Sequence, residues 1–445
     1  MKSVILGNER GSVAVVTAVS LFVLVGVMAF TFDTGYLYLQ KNRYQNAVEA
    51  AALSGTLSLC EDPEGTALEV LKESLFGGRW PEAAMPEGWV TVGRYDERSG
   101  RFWSLAELDD EEYENAVKVT ITVDEQNLVP LPPFDGSLTI AVSALAFKEP
   151  YGLLACGEPG DEPNIETRDK YPAGSPIFEN MGRLHANGDM RFVGDPTIRG
   201  DTRASASGMV VNLSAATEGA EMVRDDRPLD WDALRAKAEA SGRVFRMSDF
   251  PKRNEETPDK NYLEYDGNRC YAVKADGKGF AFGLHAGDHG GAVYYISAEG
   301  FLDFPPEEYY ISITGINEEQ NSRITNFVVA SEIPLSFANP MGRHTLGGPG
   351  EQMAYIYCKQ AIGDSTATLT NFLHGGVIYR TEKDFNARMP WWTSANQATY
   401  HMRVIARGAI LLYGGRNLNA VRTTLDGGFG PPCGPGILRL APAVP

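Results

Sequence analysis

The sequence predicts an α+β and all-β chain: an N-terminal transmembrane helix and stem, a small α+β domain, then a large β-rich domain. Three observations carry this. No residue from Gly11 to Phe32 is charged. From Ala116 to Val123 apolar and polar residues alternate strictly. Beyond residue 176, short β-prone pieces are separated by glycines.

At 445 residues the chain exceeds one typical domain. Its 43% hydrophobic and 22% charged residues can supply a packed core and exclude a disordered chain. A net charge of −18 argues against nucleic acid, which needs a basic face. It also argues against a body lying flat on an anionic bilayer. Cys60, Cys156, Cys270, Cys358 and Cys433 form no CxxC pair, so a zinc ribbon or thioredoxin-type site is not indicated. Five cysteines allow at most two internal bridges. Cys60–Cys156 with one pair among the others is one arrangement; buried free thiols are the other.

The run "GSVAVVTAVSLFVLVGVMAFTF" has the length that crosses a hydrocarbon core of about 30 Å. It is too long for a signal-peptide core, and no small-residue cleavage site follows it. After Asp33, Leu37, Tyr44, Val48, Ala51 and Ala52 recur at helical spacing, with Lys41, Arg43 and Glu49 on the wetter face. One helix is therefore expected to leave the bilayer as a stem and stop at Gly55. Leu37, Tyr44, Val48 and Ala51 are the expected partner-binding stripe. Lys2 and Arg10 precede the span, which keeps the short N-terminus cytoplasmic and the acidic body outside the inner membrane, periplasmic or extracellular.

This segment resembles the N-terminal region of TadE/TadG-like Flp (tight adherence) pilus-assembly proteins. The carriers are Arg10-Gly11-Ser12-Val13-Ala14, Asp33-x-Gly35, Gln45-Asn46-Ala47 and Ala50-Ala51-Ala52-Leu53-Ser54-Gly55. Neither Gly7 nor Gly11 is followed by glutamate at the fifth position, as prepilin processing requires: Ser12 and Val16 stand there. The resemblance therefore implies the retained, TadG-like branch. It also implies a pilin-like α+β domain, through Asn115-Ala116-Val117-Lys118-Val119 and Ser143-Ala144-x-Ala146.

Within residues 56–150, "GTALEVLKESLFG" reads as a helix with Leu68, Leu71 and Leu75 on one face. "WVTVGRY" and "RFWSL" flank a polar turn and read as a hairpin; Ala116–Val123 and Ser137–Phe147 read as strands. Residues 151–176, rich in Pro, Gly and charge, read as a linker. In 177–445, Gly188-Asp189, Gly194-Asp195 and Gly200-Asp201 punctuate short strands, and "GGVIYRTEKDF" and "MRVIARGAILLYGG" repeat the rhythm. Such punctuation suits a β-solenoid; an antiparallel sandwich gives similar strands. A helix is expected near 231–241, with Asp230 as N-cap and Gly242 beyond its end.

Four groups were candidates for chemistry. His285, Asp288 and His289 have a metal-like spacing, but the surrounding glycines oppose the helix that spacing needs. Asp189, Asp195 and Asp201 could act on a glycan or bind calcium, yet Gly-Asp is ordinary turn chemistry. Trp391, Trp392 and Tyr400 could stack on a sugar or simply pack a core. The Gly-rich stretches Thr345–Glu351 and Asp426–Gly436 lack a phosphate-binding pattern. No catalytic residue, cofactor or metal is expected. The reading is a non-catalytic membrane-anchored envelope protein for assembly or anchoring of a Flp-type pilus. Its partners would be the inner membrane and other pilus-assembly subunits. The alternatives are an anchored β-helix enzyme acting on polysaccharide, or a surface adhesin.

Overall fold

The computed structural model describes residues 9–76, 88–97, 99–108, 113–126, 137–160, 162–168, 176–192, 196–200, 202–213, 217–219, 222, 229–250, 263–265, 268–272, 279–300, 310–315, 322–336, 344–363, 372–388, 397–413, 422–427 and 436–441. The chain forms two compact units. The first is Met1–Asp109, Glu114–Lys148 and Leu438–Pro445; the second is Asp110–Tyr113 and Glu149–Ile437.

In the first unit α1 (Glu9–Leu57) is one uninterrupted helix and α2 (Pro63–Phe76) follows it. Asp62 accepts the Gly65 N–H at 2.9 Å, and Pro63, which has no N–H to leave unpaired, occupies the first helical position. Strands β1 (Val90–Asp96) and β2 (Arg101–Ser104) form the expected antiparallel hairpin. Its turn places Gly100 at φ +66°. β3 (Ala116–Gln126) pairs antiparallel with β1 and with the first part of β4 (Ser137–Ala155). The strict alternation of β3 puts Val117, Val119 and Ile121 on one face. There they join Ile140, Val142, Ala144 and Ala146 of β4 in a buried cluster with both helices.

The second unit begins with the last residues of β4 and continues through β5 (Ile165–Arg168), β6 (Ile177–Glu179), β7 (Arg183–Ala186), β8 (Met190–Arg191), β9 (Thr197–Arg199), β10 (Arg203–Ala206), β11 (Val210–Val211) and β12 (Thr217–Gly219). Then come α3 (Trp231–Ala240), β13 (Val244–Phe245), β14 (Leu263–Tyr265), β15 (Asn268–Ala272), β16 (Gly279–Leu284), β17 (Gly287–Ile296), β18 (Tyr310–Gly315) and β19 (Arg323–Ser331). The rest are β20 (Leu335–Ser336), β21 (His344–Gly347), β22 (Ala354–Cys358), β23 (Phe372–Thr381), β24 (Phe385–Arg388), β25 (Gln397–Ala406), β26 (Ile410–Tyr413) and β27 (Arg422–Asp426). β28 (Gly436–Leu440) ends the series, returns to the first unit from Leu438 onward and pairs with β4.

Among the described residues, apart from β14–β15–β16, which pair antiparallel, the ladders of this unit are parallel. One ladder runs β13–β17–β19–β22–β23–β25–β4–β7–β10–β12. Its order in space is not its order in the chain. The chain enters at β4, in the middle of the ladder, and builds outward to β12. It then restarts at the far edge with β13, and the advance from β17 ends with β25 laid on β4. The seam recurs in three ladders: β25 on β4, β26 on β5 and β27 on β6.

Like positions stack through these ladders. On one face Phe280, Ile311, Leu335, Ile362, Phe385, Ile410, Ile165, Met190 and Val210 lie in a single row. On another the row is Tyr294, Val329, Ile356, Tyr379, Val404, Leu153, Leu184 and Ala204. Both rows belong to one hydrophobic core apart from Val210 and Ala204, and Val210 packs against it. Each strand buries too little surface to stand alone, so stacking is what makes the core continuous.

α3 matches the sequence expectation. Asp230 accepts the Ala233 N–H at 2.8 Å, and Gly242 follows the helix at φ +69°. Ala238 packs with Val293, Tyr295 and Ala330 on the outer side of the long ladder, with Trp231 and Leu234 beside them. Trp231 donates to Glu382 at 2.7 Å, beyond β23, whereas the chain after α3 forms β13 at the ladder's edge. α3 therefore crosses the outer side of the ladder from β23 toward β13, as part of the chain's return from β12. Beneath it, Glu332 accepts from Tyr295 (2.8 Å) and from the Ala298 N–H (2.7 Å), with Lys359 at 3.7 Å. Burial pushes Glu332 up, but the Ala298 N–H, the Tyr295 hydroxyl and the Lys359 ammonium outweigh it, and the carboxyl lies below its usual range. A depressed carboxylate stabilises above its unfolded value of about 4.3. That contribution is lost as pH falls through the lower, folded value. Acid titration of unfolding should therefore show a loss in this range that Glu332→Gln removes.

Three expectations are corrected. Residues 151–176 are not only linker, because the end of β4 and all of β5 are paired strands. Pro150 sits where β4 has left its β3 partner, paired as far as Phe147, so its missing N–H costs no ladder bond. The chain's end belongs to the first unit rather than the β-rich one: Ala441 N–H donates to Leu145 O at 2.8 Å, and Arg439 pairs with Glu97 at 3.2 Å. Cys60 is disulfide-bonded, whereas neither Cys156 nor Cys358 is part of a disulfide, so the Cys60–Cys156 bridge does not form. Burial pushes the Cys358 thiol up to about 12, which keeps it neutral.

Candidate membrane and partner interface

α1 divides into two parts with opposite surroundings. Along Val13–Phe32 the large apolar side chains are exposed, Phe22 at 80%. Water would not tolerate so long a bare apolar rod, and its composition and length are those of a membrane span. The hydroxyls of Thr17, Thr31 and Thr34 donate to the carbonyls of Val13, Val27 and Phe30, one turn back, at 2.7–2.9 Å. Each is thereby satisfied within the helix, as an apolar surrounding demands.

The second part is packed. Tyr44, Val48 and Ala51 are buried, and Leu37 lies partly buried against the same cluster of α2, β3 and β4 side chains. The stripe expected to bind a partner is thus covered by the chain's own sheet. Its helical spacing was legible, but spacing alone does not say which surface the stripe meets. Arg43 donates to Leu75 O (2.8 Å), and buried Thr56 shares its hydroxyl between Ala52 O of its own helix (2.7 Å) and Ala146 O of β4 (3.1 Å). The bonds to Leu75 and Ala146 tie the helix to its neighbours.

Gly55 lies inside α1, which runs on to Leu57, and lets α2 approach closely. A Cβ there would stand 2.8 Å from Pro63 O and 2.9 Å from the Ala67 Cβ. Gly55→Ala gains helix propensity of about 1 kcal/mol but must push α2 away. Overpacking of this kind costs about 1–3 kcal/mol. Net destabilisation is expected in thermal unfolding, in contrast to Gly35→Ala, where no atom lies within 4 Å of the added carbon.

The other candidate residues do not form one site. His285, just before β17, and His289, at a bulge in β17, have ring centroids 4.3 Å apart with the rings tilted by 43°. His289 bonds Tyr294 OH (2.7 Å) and the His285 carbonyl (3.2 Å), and Asn268 Oδ1 meets the His285 N–H and Nδ1 at 3.1 Å. Among the described residues no group of three or more His, Cys, Asp and Glu could hold a metal ion. Asp189 accepts the Met209 N–H from the next turn of chain at 2.7 Å, which is corner chemistry; Asp195 and Asp201 lie outside the described residues. Tyr400 is buried in the core, and Trp391 and Trp392 lie outside the described residues. Sequence reading passed over His185, which bonds Ser205 Oγ (2.9 Å) and Asn187 Oδ1 (3.2 Å). All three are buried, so this Ser–His–Asn set satisfies its own polar atoms and is not open to a substrate.

Residues 11–58 match the family model described as "Putative Flp pilus-assembly TadE/G-like". The match covers the apolar segment and the packed stem to one residue past the end of α1. No curated protein and no solved structure matches the chain.

Proposed function

We propose, from the pilus-assembly segment at residues 11–58, that this chain is a membrane-anchored, non-catalytic component of a Flp/Tad-type pilus system, of the TadG-like branch. The carrying observation is α1 itself, a matched segment with a bare apolar half and a half locked into a folded unit. The apolar half spans the inner membrane with the short N-terminus in the cytoplasm. The packed half transmits the anchor's position to a pilin-like α+β unit. The second unit is a β-solenoid, a reading supported by its parallel ladders and stacked rows. The Cys60 disulfide suits an oxidising compartment outside the cytoplasm.

Docking to other pilus subunits then falls to the exposed span from Val13 to Met28, since the lower stem is occupied. Helix contacts in a bilayer are worth about 0.6–2 kcal/mol each, so recognition would be spread along the span. Photo-crosslinkers placed at Val19 and Phe22 in pilus-producing cells should capture membrane subunits of that system, and deletion of the gene should abolish piliation. Intact pili after deletion, with no crosslinks, would refute the assignment.

A further inference from the structure

The exposed apolar surface of α1 does not end at Asp33, the first charged residue after the span. On the side facing away from the sheet it continues through Phe32, Tyr38 and Leu39, with Tyr38 65% and Leu39 68% exposed. Asn42 and Asn46 then begin a polar surface on the same side. On the opposite side Asp33 already interrupts the apolar surface, and Leu37 turns into the first unit's core.

The boundary between greasy and wet is therefore oblique to the helix axis. Leu39 lies six residues beyond Asp33, about 9 Å along a helix that rises 1.5 Å per residue. A headgroup layer is only about 5–7 Å deep on each side of the hydrocarbon. An upright helix would leave Leu39 bare above it by about 2–4 Å. A helix about 10 Å across that leans by about 20°, an ordinary tilt, lowers one edge by about 3 Å and closes this gap.

We propose that Tyr38 and Leu39 form a seat for the phospholipid headgroup layer, with α1 leaning toward that side. The inference rests on the membrane-anchor reading above. Lipid is the occupant because the surface continues the bare apolar span without a break, and because tyrosine, with an apolar ring and a polar tip, suits the interface. Lys41, exposed three residues past Tyr38, lies in reach of lipid phosphates. The seat fixes which side of the first unit faces the membrane.

The test uses the full chain in phosphatidylethanolamine/phosphatidylglycerol vesicles. An environment-sensitive fluorescent amino acid is placed singly at Val25, Leu39 or Asn46. Position 39 should be quenched by headgroup-labelled nitroxide lipid and be several-fold less accessible to aqueous iodide than position 46. Position 25 should be quenched by mid-chain nitroxide. Iodide quenching at 39 equal to that at 46, with 25 still shielded, overturns the seat and leaves the anchor standing. Iodide quenching at 25 as well overturns the anchor. Shielding of 39 from both lipid nitroxide and iodide means a protein, such as a second copy, covers it, and the lipid assignment fails.

Discussion

Ile165→Ala is expected to destabilise the β-rich unit by about 2–5 kcal/mol, and Ile165→Asp to abolish its cooperative unfolding. Ile165 is fully buried and lies between Ile410 and Met190 in the stacked row. It sits on the seam where the last turns of the chain meet the first. Truncation there leaves a cavity lined on both sides by fixed neighbours that belong to distant parts of the sequence and cannot collapse together. Aspartate would add a desolvated charge with no partner in a row of hydrocarbon. The control is Val211→Ala in β11, which neighbours Val210 at the row's end but lies outside the row and is exposed; it should cost no more than about 1 kcal/mol. Denaturant unfolding of the full chain in detergent, followed by intrinsic fluorescence, measures both. Equal midpoints for Ile165→Ala and Val211→Ala would mean that the seam does not hold the unit together.

Val23→Arg is expected to reduce membrane insertion. A guanidinium at mid-span costs about 2.5–3.5 kcal/mol on insertion scales, enough to shift an insertion equilibrium by roughly 100-fold. Val23 is exposed on the helix, and no described residue covers it to shield the charge. Val23→Arg with Leu24→Arg should abolish anchoring, with the chain released by alkaline carbonate. Asn46→Arg, on the polar part of the same helix, should leave the carbonate-resistant fraction unchanged. Release of neither Arg variant would mean that residues 13–32 are not what holds the chain to the membrane.

Much of the first unit was legible because its signals are local. The uncharged run, the period-two alternation of β3 and the polar turn at Asp96–Gly100 each specify their element within their own short span of sequence. The Asp230 cap specified α3 in the same way. The arrangement of the β-rich unit was not legible. A parallel ladder between Val404 and Leu153 leaves no turn in the sequence to announce it. The chain's entry at mid-ladder therefore has no local signature. β28 is a short apolar piece that could pair with any sheet edge, and only the fold assigns it to β4. On the stem, Tyr44, Val48 and Ala51 show how far periodicity goes: it gave the buried face and left open whose surface buries it.

Protease accessibility of the native chain tests the anchor and its orientation together. With a tag at each end of the full-length protein, protease is added to intact cells, to spheroplasts and to lysed spheroplasts. The expected result is removal of the acidic body no later than the spheroplast stage. A small membrane-bound fragment carrying the N-terminal tag and the apolar half of α1 should survive until lysis. A body that resists protease until the inner membrane is broken, or a chain recovered whole in the soluble fraction, would contradict it.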